Sequence, residues 1–236
     1  MRIQHICPYC MNEAFDSTGA EVLSFKVAPH MIHDSGVHYF KCKKNHEYAV
    51  VLDAAKYEVL FDVGMNALND GYMREAVSSF ASSLERFYEF FIKFQMKVSS
   101  IDSDLVDNAW KLVSNQSERQ LGAFSYLYIL AFNDLPPELS SDDRGFRNKV
   151  IHKGYIPSTE EALSFGKVVY HHIMAVISEI EDKYGHDALY DFYTTQTPNA
   201  QSSWIVSESA KSMNASCTSN GTCVRDFESV LNMFRR

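Results

Sequence analysis

The chain has 236 residues, an ordinary apolar content of 46% and a formal net charge of −8. It is long enough for one large domain, or for a small module and a medium one, around a buried core. The acidic balance argues against a general nucleic-acid coat, because Lys and Arg contacts to phosphates supply most of non-specific affinity. The sequence shows neither an apolar run of membrane-spanning length nor a signal-peptide stretch, so we expect a cytoplasmic protein without membrane segments.

Residues 1–53 are predicted to form a small β module. Strand-like stretches lie at Val22–Val27, Val37–Cys42 and Glu47–Leu52, with turn-prone polar segments between them. From about Ala54 the apolar residues recur at helical spacing instead. We therefore expect the first domain to end there.

Two closely spaced ligand pairs lie in this module: Cys7 with Cys10, and Cys42 with His46. A turn can direct both members of each pair at one metal ion, and four such ligands suit tetrahedral zinc. We therefore predict a zinc ribbon. A closed four-ligand site is structural, so the expected cofactor is structural Zn²⁺.

Other interpretations of these cysteines stay open. Cys-Pro-Tyr-Cys is also the active-site tetrapeptide of glutaredoxins, but only six residues precede it, and Met11–Ser17 is not expected to form an amphipathic helix. Unrelated buried cysteines are the second alternative, and Cys217 and Cys223 are read as free thiols. Further histidines that could replace His46 are His5, His30, His33 and His38.

Helical periodicity dominates residues 54–185. An amphipathic helix is expected around Tyr57–Leu68, and the wide apolar stripe of Tyr72–Val98 predicts a central helix with several packing partners. Shorter helices are expected at 103–113, 116–132 and 142–153.

Local end signals support the last two helices of this domain. Ser140 can cap the helix at 142–153, and Gly154 can end it. Ser158 and Glu161 form a capping box for a long helix that reaches about Tyr184. The rest, 186–236, is predicted as a partly irregular C-terminal extension, with short helices near 187–193 and 224–234.

The most informative segment is Phe146–Gly154, because it places a cation, an amide and an imidazole near a helix end. It resembles the motif of HEPN ribonucleases, in which an Arg, often followed by Asn, Asp or His, precedes a His by four to six residues. Arg147, Asn148 and His152 match that pattern. The helical surroundings, roughly 55–185, are similar to the family's bundle. The expected fold is thus mainly α: a HEPN-like helical bundle preceded by a small β zinc-ribbon module.

The resemblance implies metal-independent cleavage of RNA to 2′,3′-cyclic phosphate and 5′-hydroxyl ends, in a toxin or anti-phage defence role. Arg147 would stabilise charge on the phosphate, His152 would transfer protons, and Asn148 would orient both. The basic residues expected to contact RNA are Arg144, Lys149 and Lys153.

Arg147 and His152 are five residues apart, which is about 140° around a regular helix, so one helix does not direct both at the same atom. Members of the family generally pair their motifs across a dimer, and a homodimer is expected here too. The other expected partners are RNA and an antitoxin or regulatory protein.

Plainer interpretations remain for each of these residues. Arg147 could pair with an acidic neighbour such as Asp143, and Glu85–Arg86 could be a supporting polar pair or an exposed charge pair. His171–His172 are not predicted as ligands, since adjacent helical residues face different directions. The alternative function is a non-catalytic HEPN-like dimer whose ribbon binds nucleic acid or protein. A zinc-ribbon transcription regulator would need a basic recognition surface, which the acidic chain does not offer.

Overall fold

The fold is mainly α with a small β module, as the sequence predicts. The computed structural model describes residues 2–3, 5–16, 30–213 and 226–234. The chain divides into two compact units, Met1–Ala54 with Gln196–Ala210, and Ala55–Thr195 with Lys211–Arg236. The stretch 186–236, expected to be a separate C-terminal extension, is therefore shared between the two units. Within the described residues, no helix is both long enough and apolar enough to cross a membrane.

The first unit is built on a three-stranded sheet in the order β3-β4-β5. Its elements are β1 (Arg2–Ile3), α1 (Pro8–Asp16), β2 (His30–Met31), β3 (Val37–Lys41), β4 (Glu47–Leu52) and β5 (Ile205–Glu208). β3 and β4 pair antiparallel, with Phe40 opposite Tyr48, and β1 pairs antiparallel with β2. β5 joins β4 in parallel, with Ala49 opposite Ile205. The central strand β4 is buried from Tyr48 to Leu52, which explains its nearly continuous apolar sequence.

Two parts of this unit differ from the expectation. Residues 8–16 form helix α1, although no convincing helix was predicted after Cys-Pro-Tyr-Cys. Pro8 at the first helical position suits a helix start, because its fixed φ is helical and its missing N–H would have no intrahelical partner. β5 lies between the two short helices predicted in 186–236, in a part of that extension where no strand is predicted. The predicted strand Val22–Val27 falls outside the described residues.

The second unit is helical and centres on α3, which packs against α2, α5, α6, α7 and α8. Its helices are α2 (Lys56–Asn69), α3 (Met73–Val98), α4 (Ser103–Val113), α5 (Ser117–Phe132), α6 (Ser141–Lys153), α7 (Thr159–Tyr184), α8 (His186–Thr194) and α9 (Phe227–Phe234). These bounds agree with the predicted helices to within about three residues.

The predicted end signals are present around α6 and α7. The Ser140 hydroxyl accepts a hydrogen bond from the backbone N–H of Asp143 at 3.1 Å, and Gly154 ends α6 in the left-handed region at φ 70°. Ser158 and Glu161 form the expected capping box at the start of α7. Ser140 and Gly154 therefore fix where the basic helix α6 begins and ends, and the capping box fixes the start of α7.

The centre of the second unit depends on a close approach of three helices around one ring. Phe80 of α3 is fully buried. A Cβ atom on Gly64 of α2 would lie 2.5 Å from Phe80 Cε1, and one on Gly166 of α7 would lie 2.7 Å from Phe80 Cε2. The missing side chains therefore let α2 and α7 pack directly against the two edges of this ring.

Candidate metal centre and candidate active site

The structure brings the four predicted metal ligands together in the first unit. Cys7 and Cys10 lie at the start of α1, whereas Cys42 and His46 flank the turn that connects β3 to β4. Their donor atoms all lie within 4.8 Å of one another. Asn45 allows this tight turn by adopting a left-handed conformation at φ 65°.

The donor separations fit a tetrahedral site. Zn–S bonds of about 2.3 Å and Zn–N bonds of about 2.0–2.1 Å require S···S and S···N separations near 3.8 and 3.6 Å. Cys10 Sγ lies 3.8 Å from Cys42 Sγ. His46 Nδ1 lies 3.5 Å from Cys10 Sγ and 3.7 Å from Cys7 Sγ. The cluster is therefore a candidate metal site with distances consistent with zinc, and His46 would bind through Nδ1.

The surroundings of the thiols differ from one another. Cys7 and Cys10 are buried, and burial raises the pKa of the Cys10 thiol to about 12. Burial also acts to raise the pKa of Cys42, but backbone N–H groups of His46 and Lys44 bond to its sulfur and the pKa is lowered. Such N–H···S bonds favour the thiolate, which is the form that binds metals.

A second layer of contacts holds His46. Its Nε2 atom lies 3.5 Å from a carboxylate oxygen of Glu13, and the other oxygen of Glu13 lies 2.9 Å from Lys44 Nζ. The ring of Tyr9 packs against the imidazole at 5.1 Å between centroids. A carboxylate on the second imidazole nitrogen is the usual way to fix the tautomer of a metal-binding histidine.

The other histidines proposed as substitutes are not in the cluster. Among the described side chains, His5, His33 and His38 do not belong to the group of converging ligands. The rings of His33 and His38 instead pack against one another at a tilt of 53°, with centroids 4.4 Å apart. The side chain of His30 lies outside the described part, as do Cys217 and Cys223.

The candidate active site lies on α6 in the second unit. The Arg147 guanidinium forms a salt bridge with Glu85 of α3 and donates to Asn148 Oδ1 at 3.2 Å. The Arg147 side chain is only 22% exposed, and the Glu85 side chain is only 28% exposed. Asp143, the acidic neighbour considered from the sequence, instead accepts a hydrogen bond from the Ser140 hydroxyl at 2.6 Å.

Arg147 and Asn148 line a cavity of about 180 Å³. Its polar lining is completed by Arg144, Glu85, Glu118, Glu138 and Ser117, and its apolar lining includes Leu84, Tyr88, Leu121, Leu139 and Phe165. Arg144 lies 3.2 Å from Glu138. Both cavity arginines therefore face a carboxylate, which holds each guanidinium in place and offsets its charge.

The structure does not bring His152 into this cavity. Arg144, Arg147 and Asn148 share one face of α6, because they are spaced i, i+3 and i+4. His152 lies one turn beyond Asn148, near the exposed end of the helix, and does not line the cavity. The residues predicted to contact RNA beside it, Lys149 and Lys153, are also exposed.

The sequence could identify some, but not all, of this site. The sequence singles out Glu85 only as a pair with Arg86. In the structure the Arg86 guanidinium instead lies 2.6 Å from a carboxylate oxygen of Glu89 and donates to Gln120 Oε1 at 3.1 Å. Glu118 and Glu138 were missed, because a lone glutamate in a helix or loop is usually an exposed charge. Only the packing of α3, α5 and α6 shows that they face the same cavity.

Comparison of the chain with protein-family models, with curated proteins and with solved structures finds no match. The resemblance to HEPN ribonucleases therefore depends on the residues of α6 and on their helical setting.

Proposed function

We propose that this protein is a metal-independent endoribonuclease of the HEPN type, acting in toxin or anti-phage defence. The observation that carries the proposal is the half-buried Arg147 guanidinium, which Glu85 and Asn148 orient at the wall of a cavity beside Arg144. A permanently charged planar group held in advance suits the stabilisation of a phosphate in its transition state.

In the proposed reaction, the 2′-oxygen of a ribose forms a bond to the adjacent phosphorus while the bond from phosphorus to the 5′-oxygen breaks. The 2′-hydroxyl loses a proton and the departing 5′-oxygen gains one. Arg147 binds the non-bridging oxygens, and His152 transfers one of these protons, a role for which an imidazole is the usual side chain. The products carry a 2′,3′-cyclic phosphate and a 5′-hydroxyl, and no catalytic metal is needed.

We further propose that His152 acts in a composite site. Because His152 is exposed at the end of α6 and lies outside the cavity of its own chain, the His152 of a second copy would complete the site around Arg147. Lys149 and Lys153, exposed on the same helix, would contact flanking phosphates.

The four-ligand cluster of the first unit is proposed to hold a structural zinc ion. Three cysteines and one histidine at tetrahedral separations fit this ion and leave no open position for substrate. When bound, zinc would supply folding energy to the first unit. This unit would then act as a recognition module for RNA or for a regulatory protein.

The first test is cleavage of total cellular RNA without added divalent ions, in enough EDTA to bind free metal, with retained zinc measured afterwards. His152→Ala should lower the rate by about 10²–10⁴-fold, the usual range for loss of a proton-transfer group. His171→Ala, an exposed histidine of α7, is the matched control and should cleave normally. Equal cleavage by wild type and His152→Ala would refute the proposed role.

A mixing experiment tests the composite site. Arg147→Lys keeps the charge opposite Glu85 but loses the planar two-point contact, so it should be inactive while still folding. If Arg147 and His152 act from different chains, mixing Arg147→Lys with His152→Ala should restore activity, because one site per mixed dimer is intact. Absence of recovery in dimers shown to have exchanged would place both groups in one chain.

The second candidate is a non-catalytic dimer whose ribbon binds nucleic acid or protein. It is favoured by the charge of the cavity, whose lining has three glutamates and two arginines, with Arg147 and Arg144 each already paired. Intact RNA with every variant, together with RNA or protein binding that needs the zinc-loaded ribbon, would select this candidate.

A further inference from the structure

A groove in the first unit has the features of a ligand site. It lies where β3 and β4 approach their connecting turn, beside the residues that lead into β5. Its volume of about 480 Å³ falls within the range of about 300–1,000 Å³ that small-molecule sites occupy. We call it the ribbon groove, and it is lined by Tyr39, Phe40, Lys41, Glu47, Tyr48, Gln201, Ser202 and Ser203.

Tyr39 provides an exposed aromatic ring in the ribbon groove. The side chain is 57% exposed, and its hydroxyl accepts a weak hydrogen bond from the backbone N–H of Gln201 at 3.4 Å. The ring is thus held at its hydroxyl end while much of its surface stays in water. Planar heterocycles stack on such rings.

The charges favour an uncharged ligand inside the groove and an anion beside it. Lys41 and Glu47 lie 3.0 Å apart and offset one another within the lining. Lys43, on the turn that follows β3, is exposed and forms no ion pair with any side chain that the structure describes. An uncharged ring in the groove, attached to a phosphate near Lys43, satisfies both features.

We infer that the ribbon groove binds an unpaired nucleobase of an RNA strand, stacked on Tyr39, with the adjacent phosphate contacting Lys43. The side chains of Gln201 and Ser202 supply further hydrogen-bonding groups at the groove for the edge of the base. This inference goes beyond the proposed nuclease and does not require cleavage, because binding alone would give the first unit its role in recognition.

The test measures binding of the full-length, zinc-loaded chain to fluorescent single-stranded RNA with 2′-O-methyl groups. Such RNA lacks the attacking hydroxyl, so failure of the proposed nuclease would not affect the result. Tyr39→Ala should weaken binding about tenfold or more, whereas Tyr39→Phe keeps the stacking face and should stay within about threefold. Lys43→Ala should weaken binding to all sequences and make it less dependent on salt.

The control is Tyr72→Ala, which removes a tyrosine of similar exposure, 62%, from the helical unit and should leave affinity unchanged. Zinc content and thermal unfolding of each variant establish that the first unit stays folded. Unchanged affinity of Tyr39→Ala would overturn the inference. Equal affinity for duplex RNA, or for a free nucleoside monophosphate, would also overturn it, since either result removes the unpaired base of a strand as the ligand.

Discussion

A buried histidine makes the stability of the helical unit depend on pH. His172 of α7 is 6% exposed, and its ring lies near those of Tyr88 and Phe124, at 5.9 and 6.3 Å between centroids. Its Nε2 atom has no hydrogen-bond partner among the side chains and backbone groups that the structure describes. Burial without a partner disfavours the charged imidazolium.

The size of the effect follows from the pKa. Burial lowers the pKa of His172 from its ordinary 6.5 to about 4. Since the unfolded chain binds this proton more readily, stability is unaffected above pH 6.5 and is lost progressively as the pH falls from 6.5 towards 4. A gap of about 2.5 pKa units at about 1.36 kcal/mol each corresponds to a loss of roughly 3 kcal/mol.

The assay is urea unfolding of wild type and His172→Leu between pH 7.5 and pH 4, with His171→Leu, an exposed neighbour, as the control. Wild type and the control should lose stability in parallel, whereas His172→Leu should lose roughly 3 kcal/mol less over this range. Other groups that titrate in this range, including the metal ligands, contribute to all three proteins and cancel in the difference. Parallel curves for wild type and His172→Leu would refute this account of the buried imidazole.

Two further perturbations test the metal centre and the helical core. Glu13→Gln removes the carboxylate from His46 Nε2, so zinc affinity measured by chelator competition should fall by about 10–100-fold while the ligands remain. Gly64→Ala and Gly166→Ala each place a methyl group within 2.7 Å of the Phe80 ring, and each should lower the free energy of unfolding by about 1–3 kcal/mol.

Each of these perturbations has a matched control. Glu47→Gln removes an exposed carboxylate that pairs with Lys41 in the same unit and should leave zinc affinity unchanged. Gly122→Ala of α5 adds a methyl group that has no atom of the described residues within 4 Å, so it should be neutral or stabilise by up to about 1 kcal/mol. If Gly64→Ala behaved like Gly122→Ala, the close approach at Phe80 would be contradicted.

The helices could be predicted well because their signals are local. The apolar stripe of α3 can be recognised from the residues of that helix alone. The caps at Ser140 and Ser158 can likewise be recognised from the few residues around each helix start. β5 could not be predicted, because its short Ile-Val stretch becomes a strand only by pairing with β4, which is distant in the sequence. Helix α1 was missed because it is only nine residues long, too short for its apolar spacing to stand out in the sequence.

The site residues also divide into those that local spacing identifies and those that only the packing of the chain reveals. Spacing along the chain was enough to select Cys7, Cys10, Cys42 and His46, since each pair is close in sequence. Spacing could not show that Glu85 of α3 is the acidic partner of Arg147, because that contact depends on how two helices pack. Helical periodicity predicts that Arg147 and His152 do not point at the same atom, and His152 does not line the cavity that Arg147 lines.

The pairing of Arg147 has a consequence for how the proposed enzyme would be restrained. Because this guanidinium already faces Glu85, a phosphate bound by the proposed enzyme would have to gain enough from Asn148, from the exposed Lys149 and from the proposed second chain to offset repulsion by that carboxylate. In an acidic chain, this requirement disfavours incidental binding of RNA strands. Cleavage would then depend on a substrate that engages several contacts at once, and recognition of an unpaired base by the ribbon groove would supply one of them.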